Sequence, residues 1–206
     1  LLDPAQADDP VAVADHAACW FNWSARRATE PSRLFQPSVS LVMSRAVFRL
    51  LGGFDERLRV LEDFDLCTRL QKRGLQLYFV RELAVTHRAR AGLLDSWRHS
   101  WSWGLPYRAS FYDRSGAGGL RFSPGSPWFA LELPGIFLRR LRLVRKATAF
   151  ASRREAWQVM PFVAATVFAW ALAVVVGAYR RPAVPAGAAA PVEMPLPPAG
   201  ADSDRP

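Results

Sequence analysis

The sequence of 206 residues is poor in cysteine and histidine, with two of the first and three of the second. Cys19 and Cys67 lie far apart, and neither has a CxxC or Cys/His neighbour. This pattern excludes a disulfide-rich secreted scaffold and a structural zinc ribbon. We therefore expect two buried free thiols in a reducing compartment. The sequence starts at Leu1 and no signal peptide precedes the first apolar helix, so we also expect an N-terminally incomplete protein.

Acidic residues are missing from the most basic part of the chain. The formal net charge is +9, but much of the basicity is local, because residues 139–154 hold seven basic side chains and no acid: Arg139, Arg140, Arg142, Arg145, Lys146, Arg153 and Arg154. Such clustering argues against a surface that coats nucleic acid uniformly. Aromatic residues interleaved with basic ones can bind nucleic acid. The acidic cluster at residues 55–65 would repel phosphates, so we expect no nucleic-acid partner.

Charged side chains are absent from residues 156–179. As a helix, this segment would be roughly 36 Å long at about 1.5 Å per residue, which exceeds a hydrocarbon core of about 30 Å. It therefore predicts a transmembrane helix, and its length without charge disfavours the alternative of a buried core helix. The excess of basic residues before it predicts a single-pass inner-membrane protein with its N-terminal side in the cytoplasm.

The segments beside this span differ in composition. Residues 128–155 predict a basic amphipathic helix on an anionic membrane surface, because one helical face would hold Phe137, Leu141, Val144, Thr148 and Ala151. Residues 116–127 are rich in glycine, serine and proline and predict a linker. Residues 180–206 are rich in proline and alanine and predict a disordered tail.

Local patterns predict the elements of residues 1–115. An amphipathic helix should cover residues 11–23, after the acidic turn that ends at Pro10. Ser44 should cap a second helix that Gly52 ends, and Asp63 a third that stops at Gly74. Residues 38–43, 75–80 and 83–87 predict short strands. An aromatic helix should begin near residue 93 and bend or break at Pro106.

Carboxylates and glycines are concentrated in residues 51–74. The order along the chain is Gly52-Gly53-Phe54-Asp55-Glu56, then Glu62-Asp63-Phe64-Asp65-Leu66, then Arg69, Gly74 and, after the next strands, His87. This series resembles family 2 glycosyltransferases, which carry a GGFDE turn, an ED-x-DL-x-x-R helix start and a later histidine. The resemblance covers about residues 8–115.

The resemblance implies an α/β fold in residues 1–115, namely the acceptor-side part of a GT-A (Rossmann-like) domain that uses a nucleotide-sugar donor. It assigns Asp63 as the general base that deprotonates an acceptor hydroxyl, so that transfer inverts the anomeric centre. Such a hydroxyl is a poor nucleophile and needs a carboxylate within hydrogen-bond reach. A helix N-terminus would lower the pKa of this carboxylate and the neighbouring acids would raise it, so the net direction stays open.

The resemblance implies further roles. Glu62, Asp65 and Trp101 would bind a membrane-associated glycan or lipid acceptor, and His87 would help to hold Mg²⁺ or Mn²⁺ on the donor diphosphate. Each role has a structural alternative: Asp65 supporting the helix, Trp101 packing on the sheet or touching the membrane, and His87 serving as a core histidine. Asp63 as an ordinary N-cap is the corresponding alternative for the base.

Two family features are absent from the sequence. There is no Q-x-x-R-W pattern, which argues against a synthase of long polymers. There is also no strand that ends in a DxD-type acidic motif, so the donor-binding half is expected to lie outside this chain. This absence motivates a second hypothesis, a non-catalytic, membrane-anchored module that binds a glycan or a partner.

Overall fold

A computed structural model describes residues 1–23, 28–32, 35–106, 121–148, 150 and 152–180. This part of the chain is mostly helical. Its α-helices are Pro10–Trp20 (α1), Arg45–Leu50 (α2), Glu62–Lys72 (α3), Leu93–Gly104 (α4), Leu133–Ala147 (α5) and Arg153–Tyr179 (α6). Its strands are Glu30–Ser32 (β1) and Leu77–Phe79 (β2), and 3₁₀-helices cover Pro4–Gln6, Phe21–Trp23, Ser38–Ser40 and Pro127–Glu132.

Local capping explains where several helices begin and end. The Asp9 carboxylate accepts the N–H groups of Val11 and Ala12 at 2.9 and 3.2 Å, so α1 begins immediately after it. Ser44 accepts the N–H of Val47 and starts α2 in the same way. Gly74 follows α3 with φ of 75°, a conformation that glycine adopts without steric cost. These boundaries agree with the sequence predictions to within a few residues.

The sheet is much smaller than an α/β fold requires. β1 and β2 pair antiparallel, with Glu30 opposite Phe79 and Ser32 opposite Leu77. Two predicted strands are absent from the described residues: residues 38–40 form a 3₁₀-helix, and residues 83–87 contribute only an isolated parallel bridge between Leu2 and His87. The Rossmann-like layer implied by the resemblance is therefore not shown, although the strand predicted at residues 75–80 is present as β2.

Helix α6 lies at the centre of the helical part. One apolar cluster joins alanines of α1 to Val144 of α5 and to valines of α6. A second joins Phe129 and Ile136 to the C-terminal half of α6. Helix α4 packs so closely on α6 that a Cβ at Gly104 would lie 2.6 Å from the carbonyl oxygen of Trp170. Gly177 of α6 lies still closer to the backbone of Leu105.

Helix α6 is long and apolar enough to cross a membrane, as the sequence predicts. The rest of the protein nevertheless covers 56% of its most apolar window. The apolar face of α5 contributes to this cover, because Phe137, Leu141 and Val144 pack into the cluster shared by α1 and α6. The membrane side of α6 is not shown. Residues 107–120 and 181–206, which hold part of the predicted linker and nearly all of the predicted tail, lie outside the described residues.

A third apolar cluster supports the acidic stretch. Leu66, Cys67 and Leu70 of α3 pack against Leu51, after α2, and against Leu77 of β2. This cluster fixes the start of α3 beside the double-glycine turn. The carboxylates of residues 62–65 (the start of the ED series, Glu62 to Arg69) therefore lie on a helix that packs against this cluster, and not on an exposed loop.

A candidate carboxylate site at the start of helix α3

Helix α3 begins at Glu62, two residues earlier than the sequence predicts. Leu61 is its N-cap, with φ of 65° and no side-chain hydrogen bond to the helix. The prediction that Asp63 caps the helix was therefore wrong, since Asp63 is the second helical residue. A non-glycine residue in the left-handed region costs on the order of 1–3 kcal/mol, and such strain clusters at functional sites. Leu61 is buried, so packing holds this conformation in place.

Asp63 is a buried carboxylate with backbone donors on both oxygens. Oδ2 accepts the N–H of Ser38 at 3.0 Å, and Oδ1 accepts that of Phe64 at 2.7 Å. Only 4% of the residue is exposed. Burial raises the pKa of Asp63 above its ordinary value, and the two backbone N–H groups oppose this only in part. The direction that the sequence left open is therefore upward, and a raised pKa makes the ionised carboxylate a stronger base.

Asp65 has a structural contact of its own. Its Oδ2 accepts the Nε–H of Arg69, one turn later, at 2.7 Å. Arg69 also donates to the carbonyl oxygens of Leu51 and, at 2.8 Å, of Gly53. Asp65 and Arg69 therefore form an ion pair along one face of α3. The pair ties α3 to the double-glycine turn, which supports the structural alternative for Asp65.

The double-glycine turn has its own ion pair. Gly52 and Gly53 have φ of 80° and 72°, so the turn uses the left-handed region twice. Arg57 then donates to Asp55 from its guanidinium, with a closest distance of 2.8 Å. This hydrogen bond is the largest cause that lowers the pKa of Asp55 to about 2. Asp55 therefore stays ionised and shapes the turn.

A cavity of about 370 Å³ lies beside this site. One wall is formed by residues 36–37 and 39–43 and another by residues 75–81, and His16 and His87 also line the cavity. Asp63 binds the N–H of Ser38, whose neighbours Pro37 and Val39 line the cavity. The candidate base therefore lies behind the wall rather than on its surface.

The remaining candidates lie in different places. Glu62 is half-buried next to Asp63 in the first turn of α3. Trp101 is on α4, which packs against α1 and α6, whereas Asp63 belongs to the group formed by α2, α3 and β2. The described contacts thus bring Glu62, Asp63 and Asp65 together but not Trp101 with them.

His87 was predicted to help to hold a divalent metal. Its ring lies 4.9 Å from that of Trp20, and its Nδ1 is buried without a partner among the described residues. Burial lowers its pKa, so the ring is neutral near pH 7, which is the form of imidazole that binds metals. No group of three or more His, Cys, Asp or Glu side chains that could hold a metal occurs in the described part of the chain. The metal role of His87 therefore stays a prediction, and no chemical step is assigned to a metal.

Two groups that line the cavity or contact Asp63 were not predicted from the sequence. His16 had no assigned role, yet it lines the same cavity as His87. Its position one turn before Trp20 on α1 is the signal that would have found it, because residues four apart share a helix face. The backbone N–H of Ser38 was also missed, and nothing in its local sequence indicates a contact with a carboxylate 25 residues away.

Comparison with known proteins adds no further assignment. No family model, curated protein or solved structure matches the chain. The order of residues 52–69 and the geometry around Asp63 are therefore the features that bear on function.

Proposed function

We propose that this protein is the acceptor-side part of an inverting, family 2-like glycosyltransferase, with Asp63 as the general base. The observation that supports this most directly is a buried carboxylate with a raised pKa at the strained start of α3. It lies within the complete GGFDE and ED-x-DL-x-x-R series. The substrate class is a nucleotide-sugar donor and a glycan or lipid acceptor of the cell envelope.

The chemistry uses one proton transfer. Asp63 takes the proton of an acceptor hydroxyl while that oxygen forms a bond to the anomeric carbon of the donor sugar. The bond from this carbon to the diphosphate oxygen breaks on the opposite face, and the nucleoside diphosphate leaves with the electron pair. Because Ser38 and Phe64 donate to the carboxylate, its orientation is fixed before substrate binds. A divalent metal on the donor remains an expectation from the resemblance.

Membrane anchoring belongs to the same proposal. Helix α6 would confine the enzyme to the inner membrane, where a lipid-linked acceptor is also found, with residues 1–155 on the cytoplasmic side. The basic residues that precede the helix support this orientation. Protease digestion of sealed spheroplasts tests it: the C-terminal tail should be cleaved, and a tail protected until lysis would contradict the orientation.

The catalytic role is tested with Asp63→Asn in the full-length protein, in native membranes supplied with radiolabelled UDP- and GDP-sugars. Loss of a general base should reduce transfer by about 10² to 10⁴-fold and leave nucleotide affinity unchanged. The wild-type rate should also rise with pH through an apparent pKa above the ordinary 3.8 of aspartate.

Asp55→Asn is the matched control, because it removes a carboxylate of the same stretch that pairs with Arg57. Its transfer rate should stay near that of the wild type. If Asp63→Asn retains full activity, the assignment of the base is wrong.

The second candidate function is a non-catalytic, membrane-anchored binding module. Two observations favour it: both oxygens of Asp63 already accept backbone N–H groups, and the described residues offer no metal-binding group. Titration of the full-length protein, with any donor-binding half included, with nucleotide sugars and Mn²⁺ separates the two. Binding with hydrolysis supports the enzyme, whereas no binding by the full-length protein supports the module.

A further inference from the structure

The cavity beside α3 is bordered by backbone edges rather than by one face of a sheet. Every residue from 75 to 81 lines it, and so does every residue from 39 to 43. Successive residues of an extended chain point to opposite faces. The wall at residues 75–81, which include β2, is therefore an edge of the chain, where backbone N–H and C=O groups point outward. Residues 38–40 form a 3₁₀-helix, so the second wall is not such an edge along its whole length.

The register of the sheet shows which backbone groups face this edge. Tyr78 lies opposite Pro31, and proline has no N–H. The pair must then be the non-hydrogen-bonded type, flanked by the bonded pairs of Phe79 with Glu30 and Leu77 with Ser32. The N–H and C=O of Tyr78 consequently point away from β1, toward the cavity.

The two missing strands lie on the same cavity. Residues 38–43 and 83–87 have the composition of strands, yet in the structure neither belongs to a sheet. A sequence that favours strand adopts it only where a neighbouring strand supplies hydrogen bonds. Residues 83–85 and 87 also line the cavity. A strand has two edges, so one absent strand in this position could pair with the outer edge of β2 and with residues 38–43. Residues 85–87 already hydrogen-bond to residues 1–3.

The rim of the cavity is apolar and open. Six of its large side chains are at least 39% exposed: Leu1, Val39, Val42, Tyr78, Leu83 and Val85. An apolar group of this size around a free sheet edge marks an interaction site, and left uncovered it is an aggregation hazard. Arg81 is the one charged side chain among the lining residues. Its positive charge favours an acidic partner.

We propose that this cavity is a slot for one extended polypeptide strand of a partner protein, which adds to the free edge of β2. Backbone hydrogen bonds would give the affinity, and pockets for alternate side chains would give the selectivity. The partner strand is rich in β-branched residues and carries an acid that pairs with Arg81. Residues 75–81 offer an edge of roughly 23 Å at about 3.3 Å per residue, enough for such a strand. This inference does not depend on glycosyl transfer.

The probe is a fluorescent synthetic peptide that alternates valine with threonine and carries one glutamate. It is titrated into the full chain in lipid nanodiscs and followed by anisotropy, with hydrogen exchange measured in parallel. We expect saturable binding and slower amide exchange at residues 75–81. A matched peptide with alternate amides N-methylated keeps the side chains and loses the donors of one edge, so it should bind at least about tenfold more weakly.

Protein variants separate docking in the slot from general hydrophobic adsorption. Val42→Lys, on the rim, should weaken binding by at least about tenfold, since it places a charge where an apolar side chain docks. Leu143→Lys makes the same change at an exposed leucine of α5 and should leave binding unchanged.

Three outcomes would overturn the proposal. The first is no binding of the peptide, and the second is equal binding of its N-methylated form, which would indicate a pocket for small apolar molecules. The third is a dimer of the chain that Val42→Lys dissociates, which would make a second copy the occupant.

Discussion

Arg69→Met gives the sharpest test of how the ED helix is held. Arg69 is the counter-ion of Asp65, whose side chain is only 4% exposed, and it also donates to the carbonyl oxygens of Leu51 and Gly53. Methionine keeps most of the apolar stem and removes the charge and every donor. Asp65 is then left as a buried carboxylate without its cation, and two carbonyl oxygens lose a partner.

The magnitude follows from the burial of the pair. Removing one partner of a buried ion pair costs about 3–5 kcal/mol. Arg69 retains 22% exposure of its side chain, which lets water reach the vacated site, so we take the lower end, about 3 kcal/mol. The loss is local to α2, α3 and β2, because these elements form a separate apolar cluster.

Hydrogen exchange of the α3 amides measures this loss without requiring two-state unfolding. When closing of the helix is faster than chemical exchange, the exchange rate follows the opening equilibrium. Each 1.4 kcal/mol or so changes that equilibrium tenfold, so a loss of about 3 kcal/mol should make the α3 amides exchange roughly 100-fold faster. Arg57→Met is the control: its guanidinium makes a more exposed ion pair with Asp55 and should change exchange by less than about 1 kcal/mol. If the free energy of opening of α3 in Arg69→Met lies within about 1 kcal/mol of the wild-type value, the stabilising role of the buried pair is wrong.

Two further predictions concern the helical part and the cavity. Gly104→Ala should destabilise the packing of α4 on α6 by about 1–3 kcal/mol, because its Cβ would lie 2.6 Å from the Trp170 oxygen. The control Gly135→Ala should be neutral or slightly stabilising, because its Cβ would meet nothing closer than 3.8 Å. Equal melting temperatures of the two variants would contradict this prediction. Burial lowers the pKa of His16 from 6.5 to about 4, so the unfolded chain binds the proton more tightly and stability should rise with pH between these values. His16→Phe should flatten that dependence in pH-resolved denaturation, and an unchanged slope would contradict it.

Helix ends were predictable from the sequence because their causes are local. Asp9, Ser44 and Gly74 act on backbone groups within a few residues, so the pattern of side chains is enough. The pairing of Arg69 with Asp65 was accessible for the same reason, since a spacing of four places both on one face of α3.

Strands and the environment of Asp63 were not predictable in this way. Residues 38–43 have the composition of a strand, but strand formation needs a neighbouring edge that the local sequence does not specify. The burial of Asp63 and its bond to Ser38 arise from packing between segments 25 residues apart. The apolar face of α5 was identified correctly as a face, but periodicity does not say whether lipid or another helix covers it.

Helix α6 shows what this ambiguity means for function. Arg140 of α5 places its guanidinium 3.9 Å from the ring centre of Trp170, near the middle of the helix, and donates to the carbonyl oxygen of Ala18. A charge at the centre of a bilayer costs at least about 2.5–3.5 kcal/mol. Insertion of α6 into a bilayer therefore disfavours the observed packing of α5 at Trp170. Gly104→Ala distinguishes the two states, because it weakens only a state in which α4 lies on α6; an effect in water that disappears in nanodiscs would mean that lipid has replaced α4.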